Sequence, residues 1–413
     1  MTTLYLKKII SLKETHIMKQ LVLFLLLMQA GHASTYTLSK ILKSAGQNSV
    51  LSKALRQESL ALEAKNKAST ASDPLELFGE GSKAYPHGGG SGNEYAVGVS
   101  KKFIFGNIQE QEQKATRLSN QAYLLDEERN ILNFKNGLKN IYHQHCLDGQ
   151  NYRSFKQSYQ EFVKLYNKKQ KAYKYQEISK TELMQLEIEK NSLYAQLQEI
   201  KMQQDISKQN LFMLSKIHYT ESTKLSCKDM YPIRTHVKLG KPFQLSKEAY
   251  NKRIQSTHEV LDRYSNSIDS ISLSAQYTEE LDVDKYTVGL SIPLNFTSTR
   301  SEQERAAAMY QNSAISLKHE QTMTEKKSLL SQLRSQLRSN ALMVKTLKRN
   351  YQKYRKDLLP LIKKSYDLGE TSVIEYLLNR QRSYQLRQEI YATKKTYYNT
   401  LFKLYTISEK KDN

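Results

Sequence analysis

The chain has 413 residues, enough for two or three ordinary domains, but only six prolines and fifteen glycines, no tryptophan and twenty-eight tyrosines. Scarce glycine and proline favour long uninterrupted helices, and a hydrophobic share of 39% argues against a large conventional core. The formal net charge of +22 demands an anionic or strongly solvating environment.

The N-terminus carries a targeting pattern. Met18-Lys19-Gln20 is a short basic start, Leu21 to Met28 is apolar, and Gly31-His32-Ala33 supplies small residues for cleavage before Ser34. Residues 1–33 therefore read as a secretory signal peptide, with Met18 as the true start and 1–17 an over-long leader. The apolar run is too short to cross a bilayer, and no cysteine follows the cleavage site to take a lipid. Removing 1–33 takes away four lysines and one glutamate, leaving a net +19. An exported chain rarely meets nucleic acid, so this excess suits anionic lipid headgroups better.

The pattern predicts a helix over 36–72, ended by Asp73-Pro74. A strand follows at 75–79, then a Gly/Ser-rich loop from Gly81 and a second strand at 94–105. The Gly88–Gly90 run precedes a strand, not a helix, and reads as a surface loop, not a phosphate cradle. A charged helix of about seventy residues comes next, roughly 100 Å at ~1.5 Å per residue. It breaks near Gln176–Lys180, and a return helix runs to about Ile217. Residues 218–245, with Pro232 and Pro242, form a polar linker.

The plan then repeats: a helix at 246–268, strands at 270–278 and 285–296, a long helix to Leu368, a break at Gly369, a return helix to about Ile407 and a disordered tail at 408–413. Tyr95 to Phe105 reads YAVGVSKKFIF and Tyr286 to Phe296 reads YTVGLSIPLNF, five of eleven positions identical at an offset of 191. At the breaks, Gln176-Glu177-Ile178-Ser179 faces Gly369-Glu370-Thr371-Ser372, and Glu182 faces Glu375, at an offset of 193. Two anchors at nearly constant separation mark two copies of one unit, 34–217 and 246–407.

The long helices carry heptad seams. One runs Leu330, Leu333, Leu337, Asn340, Val344, Leu347, Tyr351, Tyr354, Leu358, Leu361, Ser365, Leu368. Another runs Leu183, Leu186, Lys190, Leu193, Leu197, Ile200, Gln204, Ser207, Leu211, Leu214. A sustained 3.5 period is the coiled-coil signal, and one period on outgoing and returning helices makes them pack lengthwise.

A signal peptide, four strands of barrel length and very long helices form a specific combination. Four strands cannot close a barrel, so several chains must share one. Here the chain resembles the TolC-like outer-membrane efflux proteins over nearly its whole mature length. The resemblance rests on the repeated element order, on Val288-Gly289-Leu290-Ser291-Ile292-Pro293-Leu294, and on the tip sequence Tyr366-Asp367-Leu368-Gly369-Glu370-Thr371-Ser372-Val373-Ile374-Glu375-Tyr376-Leu377.

It implies a mostly α fold with a small β part. A homotrimer would share a twelve-strand transmembrane β-barrel, continued by a periplasmic α-helical barrel. It implies an outer-membrane localisation with a long periplasmic extension. The role is a passive exit duct of a tripartite efflux or type I secretion system, neither an enzyme nor a cofactor protein. A periplasmic adaptor and an inner-membrane pump of RND or ABC type would be the partners. The rival reading, a periplasmic scaffolding coiled coil without a pore, leaves the repeated strand pairs unexplained.

Site residues follow from the resemblance. Gly369 turns the helix tip. Glu375 matches an acid that rings the pore, Glu182 is its counterpart in the first copy, and Leu378-Asn379 stands where the family often has a second acid. For both glutamates the alternative is a carboxylate favoured by a helix start. Arg380 and Arg382 are candidates to bridge to neighbouring helices and hold the mouth shut; solvated charge is the alternative. The linker would pack mid-helix as an equatorial belt, so Cys146 and Cys227 can meet in a disulfide; two inert thiols are the alternative. Tyr85, Tyr95, Tyr277 and Tyr286 are candidates for an interfacial girdle. His143, His145 and Cys146 form the one metal-like cluster, but only two share a helix face, so no metal site is expected.

Overall fold

The computed structural model describes residues 35–69, 71–220, 223–263, 268–294 and 299–411. The expected signal peptide lies outside them. The chain divides into two compact units. One comprises residues up to 49, 137–234 and 340–399. The other comprises 50–136, 235–339 and 400–413. Three of the five boundaries fall within long helices, one between two helices at Ser49 and one in the linker after Arg234.

In chain order the elements are β1 (Thr35–Tyr36), α1 (Leu38–Asn48), α2 (Val50–Ser69), β2 (Glu76–Ala84), β3 (Gly92–Ile104), α3 (Gly106–Lys174) and α4 (Lys180–Leu214). Then come β4 (Lys224–Leu225), α5 (Gln244–Arg263), β5 (Ser270–Glu279), β6 (Asp284–Ser291), α6 (Arg300–Lys353), a π turn (Tyr354–Leu358), α7 (Leu359–Asp367) and α8 (Val373–Ser408).

Three expectations need correcting here. The first helix is two, because Ser49 takes an extended conformation (ψ 149°) between α1 and α2. β2 runs past the expected end at Gly79 to Ala84 and absorbs Gly81, which reads as a loop residue but pairs with Tyr95. The expected tail begins too early, since the chain is still packed at 409. Glu409 is buried: its carboxylate accepts the Ser246 N–H at 3.0 Å and lies 2.9 Å from the Lys326 ammonium. Burial pushes this carboxyl up, but the Ser246 and Lys326 bonds outweigh it and hold it below its ordinary value.

The second unit is built on a four-stranded antiparallel sheet of order β2-β3-β5-β6. The two repeat hairpins join through β3 and β5, registered from Tyr95↔Glu279 to Ile104↔Ser270. The shared Val-Gly motif places Gly98 opposite Phe78 and Gly289 opposite Ser274. A Cβ at Gly98 would collide with the Phe78 ring and stand 3.0 Å from the Ala275 carbonyl oxygen, so the strands close up only with glycine there. α5 is tied beside α3 by ion pairs Arg253–Asp126, Arg263–Glu112 and Lys114–Glu259.

The first unit packs α3, α4 and α8 around Phe155, Phe162, Tyr166, Leu186, Leu193, Leu197, Ile200 and Tyr384. Polar seam positions on α4 find partners. Lys190 sits 4.1 Å over the Tyr166 ring, and the Ser207 hydroxyl is 3.2 Å from His145 Nδ1. The seam of α8 is unusual: Arg380, Tyr384, Arg387, Tyr391, Lys394 and Tyr398 alternate cation and tyrosine at four- and three-residue steps. Arg387, 7% exposed, donates to Ser154 and Ser158. Burial, then repulsion from Lys348, pushes the Lys394 amine down to about 8.

The expected unbroken helix to Leu368 contains the π turn, closed by the Leu359 N–H donating to the Tyr354 carbonyl. Pro360 lies just beyond; it has no N–H to donate and would crowd an α-helical carbonyl four residues back. The extra residue in this turn advances the seam by one. Before it, Leu330, Leu333, Leu337 and Val344 are buried as expected. After it, the expected Leu358, Leu361 and Leu368 are exposed, and Leu359, Ile362 and Tyr366 turn inward instead.

The linker is pinned along its length. β4 pairs in parallel with β1. Cys146 and Cys227 are disulfide-linked, Cα atoms 5.6 Å apart. The Tyr142 hydroxyl donates to the Ser226 carbonyl at 2.7 Å, Tyr398 donates to the Tyr231 carbonyl at 2.5 Å, and the Tyr397 hydroxyl both accepts from and donates to the Arg234 backbone.

Candidate functional site

The two helix tips, both in the first unit, are built alike. At the first, Gln176 takes φ 63°, and the N–H groups of Gln176 and Glu177 reach the Tyr173 and Ala172 carbonyls. At the second, Gly369 takes φ 77°, with Gly369 and Glu370 reaching Tyr366 and Ser365. These are Schellman ends, for which glycine is the low-cost residue. Each following helix starts on a serine cap: Ser179 accepts the Glu182 N–H at 3.1 Å, and Ser372 the Glu375 N–H at 3.2 Å.

The two acids at this equivalent position have different surroundings. Glu182 is held inside the tip. It accepts the Tyr366 hydroxyl at 2.6 Å and the Lys169 ammonium at 3.3 Å. Lys169 also lies 4.3 Å over the Tyr366 ring, which stacks on Tyr376 at 4.6 Å. Burial, then the bond to Glu182, pushes the Tyr366 phenol up, so it stays a neutral donor. Glu375 is exposed, and no described residue partners its carboxylate. Ile374 and Leu378 beside it are exposed as well.

Arg380 lies within the chain. It donates to Tyr376 and Tyr384 at 3.0 and 2.8 Å and lies 5.2 Å over the Phe162 ring. Arg382 is exposed, 3.4 Å from Gln385 and 3.5 Å from Glu389 on its own helix.

The metal-like cluster is occupied by protein partners. His143 Nδ1 donates to the Lys139 carbonyl at 2.7 Å, and Nε2 accepts the Tyr231 N–H at 2.8 Å, which fixes a neutral tautomer. Burial pushes its pKa down to about 4. His145 Nδ1 meets the Gln204 carbonyl at 3.1 Å, and Cys146 is in the disulfide. Among the described residues no group of three His, Cys, Asp or Glu side chains could hold a metal.

The sheet of the second unit sorts its side chains by face. Register puts Leu77, Val97, Val99, Leu273, Val288 and Leu290 on one face, all exposed, with Lys101 beside Leu273 as its charged exception mid-strand; its ammonium turns to the Asp73 carbonyl. Tyr95, Tyr277 and Tyr286 lie towards one end of that face, and Phe103 towards the other. The Tyr277 and Tyr286 rings are 5.3 Å apart. Tyr85 stands beyond β2, in the loop. The opposite face carries Glu76, Glu94, Ser100, Ser272, Gln276 and Thr287. β2 and β6 each keep one edge without a partner among the described residues. No helix of the described residues is long and apolar enough to cross a membrane.

No protein-family model and no curated protein sequence matches the chain. Solved structures do. The CmeC outer membrane channel of Campylobacter jejuni aligns with a TM-score of 0.72 at 15% identity, covering 91% of this chain and 87% of that one. VceC of Vibrio cholerae, an outer membrane protein, aligns at 0.72 and 13% identity, covering 90% and 96%. The open-state MtrE outer membrane channel of Neisseria gonorrhoeae aligns at 0.69 and 13%, covering 90% and 88%.

The fold is that of the TolC-like outer-membrane channels. At such identities the shared property of TolC-like chains is the element order and its geometry, carried by dissimilar side chains. Sequence reading missed the aromatic clamp on the linker and the cation–tyrosine seam of α8. The seam was detectable as alternating four- and three-residue steps, but a search for apolar residues passes over arginine.

Proposed function

We propose that this chain is an outer-membrane channel subunit, and that three copies close one barrel of twelve strands. The observation that carries this reading is the two-faced sheet with open edges. A face of Leu and Val with tyrosines towards one end and phenylalanine towards the other suits a lipid band and its interfaces, and a Ser, Gln and Glu face suits a watery lumen. Such a sheet is stable in a bilayer only when its edges are closed by further copies.

α4 supports lateral assembly independently. Opposite its buried seam, Met184, Ile188, Met202, Ile206 and Met213 form a second, exposed apolar stripe. One helix with two apolar stripes fits a ring in which each helix has two neighbours.

On this reading the protein is a passive duct across the outer membrane, with its helices in the periplasm. A periplasmic adaptor and an inner-membrane pump supply cargo and energy, as in tripartite efflux or type I secretion. Glu375 faces its counterparts at the periplasmic mouth. The Cys146–Cys227 disulfide forms on export into an oxidising compartment. The test is native mass in detergent after outer-membrane fractionation and a salt wash. Three subunits in the outer-membrane fraction are expected. A monomer, or release by salt, overturns the reading.

A further inference from the structure

The first unit holds a cleft of about 540 Å³ between α3 and the segment from the π turn through α7. That is the size of a small-ligand site. Its walls follow from local geometry. On α3, residues 161, 164, 165 and 168 share one face at helical spacing. Across from them, Arg355 in the π turn lies on the same side as Leu359, Lys363 and Asp367, at four-residue steps.

The floor is apolar: Leu165, Leu359 and Pro360, with the buried Tyr376 ring behind. It is rigid, because Tyr376 is stacked on Tyr366 and bonded to Arg380. The rim is cationic. Lys164, Lys168 and Arg355 are exposed there and have no ion-pair partner among the described residues. Of the two carboxylates at the rim, Asp367 is ion-paired with Lys363 at 3.3 Å, and Glu161, which accepts from the neutral Gln157 amide at 3.2 Å, keeps its charge but is outnumbered by the cations. Arg380, at the back of the cleft, makes no ion pair among the described residues either.

We propose that this cleft binds an anionic amphiphile, with its hydrocarbon part on the Leu165–Leu359–Pro360 floor and its carboxylate or sulfonate between Lys164, Lys168 and Arg355. Converging unpaired cations over an apolar surface complement that ligand class and disfavour neutral or cationic amphiphiles. Surface lysines alone would only be solvated. Here they share the rim with an arginine carried by the π turn, a feature frequent at functional sites.

The experiment uses the full mature chain in lipid nanodiscs. The probe is a twelve-carbon carboxylic acid with a diazirine at the chain end, photo-crosslinked and mapped by mass spectrometry. Labelling should fall on residues 161–168 and 355–367, and unlabelled dodecanoate should compete where dodecanol does not. The Lys164→Glu, Lys168→Glu, Arg355→Glu triple variant changes only exposed side chains and should lose at least about tenfold in labelling. No labelling at the cleft, or equal competition by the alcohol, overturns the proposal on wild-type protein alone. Undiminished labelling of a folded triple variant overturns it as well.

Discussion

Glu182 and Glu375 occupy the same step of the same turn, so their different surroundings isolate what each carboxylate does. Glu182 ties the first tip to the second through Tyr366. Tyr366→Phe should remove a hydrogen bond to a charged acceptor and cost about 2 kcal/mol, read from urea unfolding followed by helical circular dichroism. Glu375 has no such internal task. If three copies ring a mouth, trivalent cations should block single-channel conductance, and Glu375→Gln should weaken that block. Leu378→Asp, one turn along, should strengthen it; identical block in wild type and Glu375→Gln would remove Glu375 from the pore. His143 gives a pH signature. Its folded pKa, about 4, lies below the ordinary imidazole value. Its contribution is therefore complete above about 6.5 and is lost as the pH falls towards about 4. Burial pushes the pKa of His145 down too, so part of the slope belongs to it. His143→Gln should flatten, but not abolish, the fall in melting temperature over that window.

At the level of elements, the strands and the helix tips were readable because they depend on local chemistry: alternation, a glycine at positive φ, a serine before a glutamate. Boundaries were less so. β2 reads short because Gly81 and Ser82 carry a loop composition, and only pairing across to β3 makes them strand. The π turn was hidden because a 3.5 period continues through 354–368 in the letters while the backbone advances by one residue. The tail was read as disordered from its charge, yet Glu409 meets Lys326 and Ser246 from distant positions in the sequence. Gly98→Val tests the close strand approach. It should prevent assembly of the oligomer in detergent, whereas Gly98→Ala combined with Phe78→Ala, which clears the ring from the path, should recover part of it.

For the whole molecule, the strongest single constraint on the described chain is the linker clamp. The disulfide spans 81 residues of sequence, and in the chain-entropy view a loop of that size is worth about 4 kcal/mol. Denatured, unreduced protein should show no reactive thiols and two after reduction. Reduction should lower the melting temperature without releasing the linker, because the Tyr142, Tyr397 and Tyr398 bonds remain. The repeat architecture was evident from sequence because two anchors kept step. The clamp was not, because Tyr142, His143, Tyr397 and Tyr398 meet the linker from two helices far apart in the sequence.

The offset between the copies grows from 191 residues at the strands to 193 at the tips. A turn with five-residue spacing takes up one extra residue while keeping its hydrogen bonds, and the π turn at 354–358 is such a turn in the second copy. The second copy thus carries a frame slip that the first lacks, and the sequence after it is written for the slipped phase. Deleting one residue there would rotate Tyr366 by about 100° away from Tyr376 and Glu182 and swing Leu358, Leu361 and Leu368 back towards the core. Duplicated helices that looked interchangeable would then prove to be out of phase: the second tip, grafted onto the uninterrupted helix of the first copy, should fail to dock unless the extra residue travels with it.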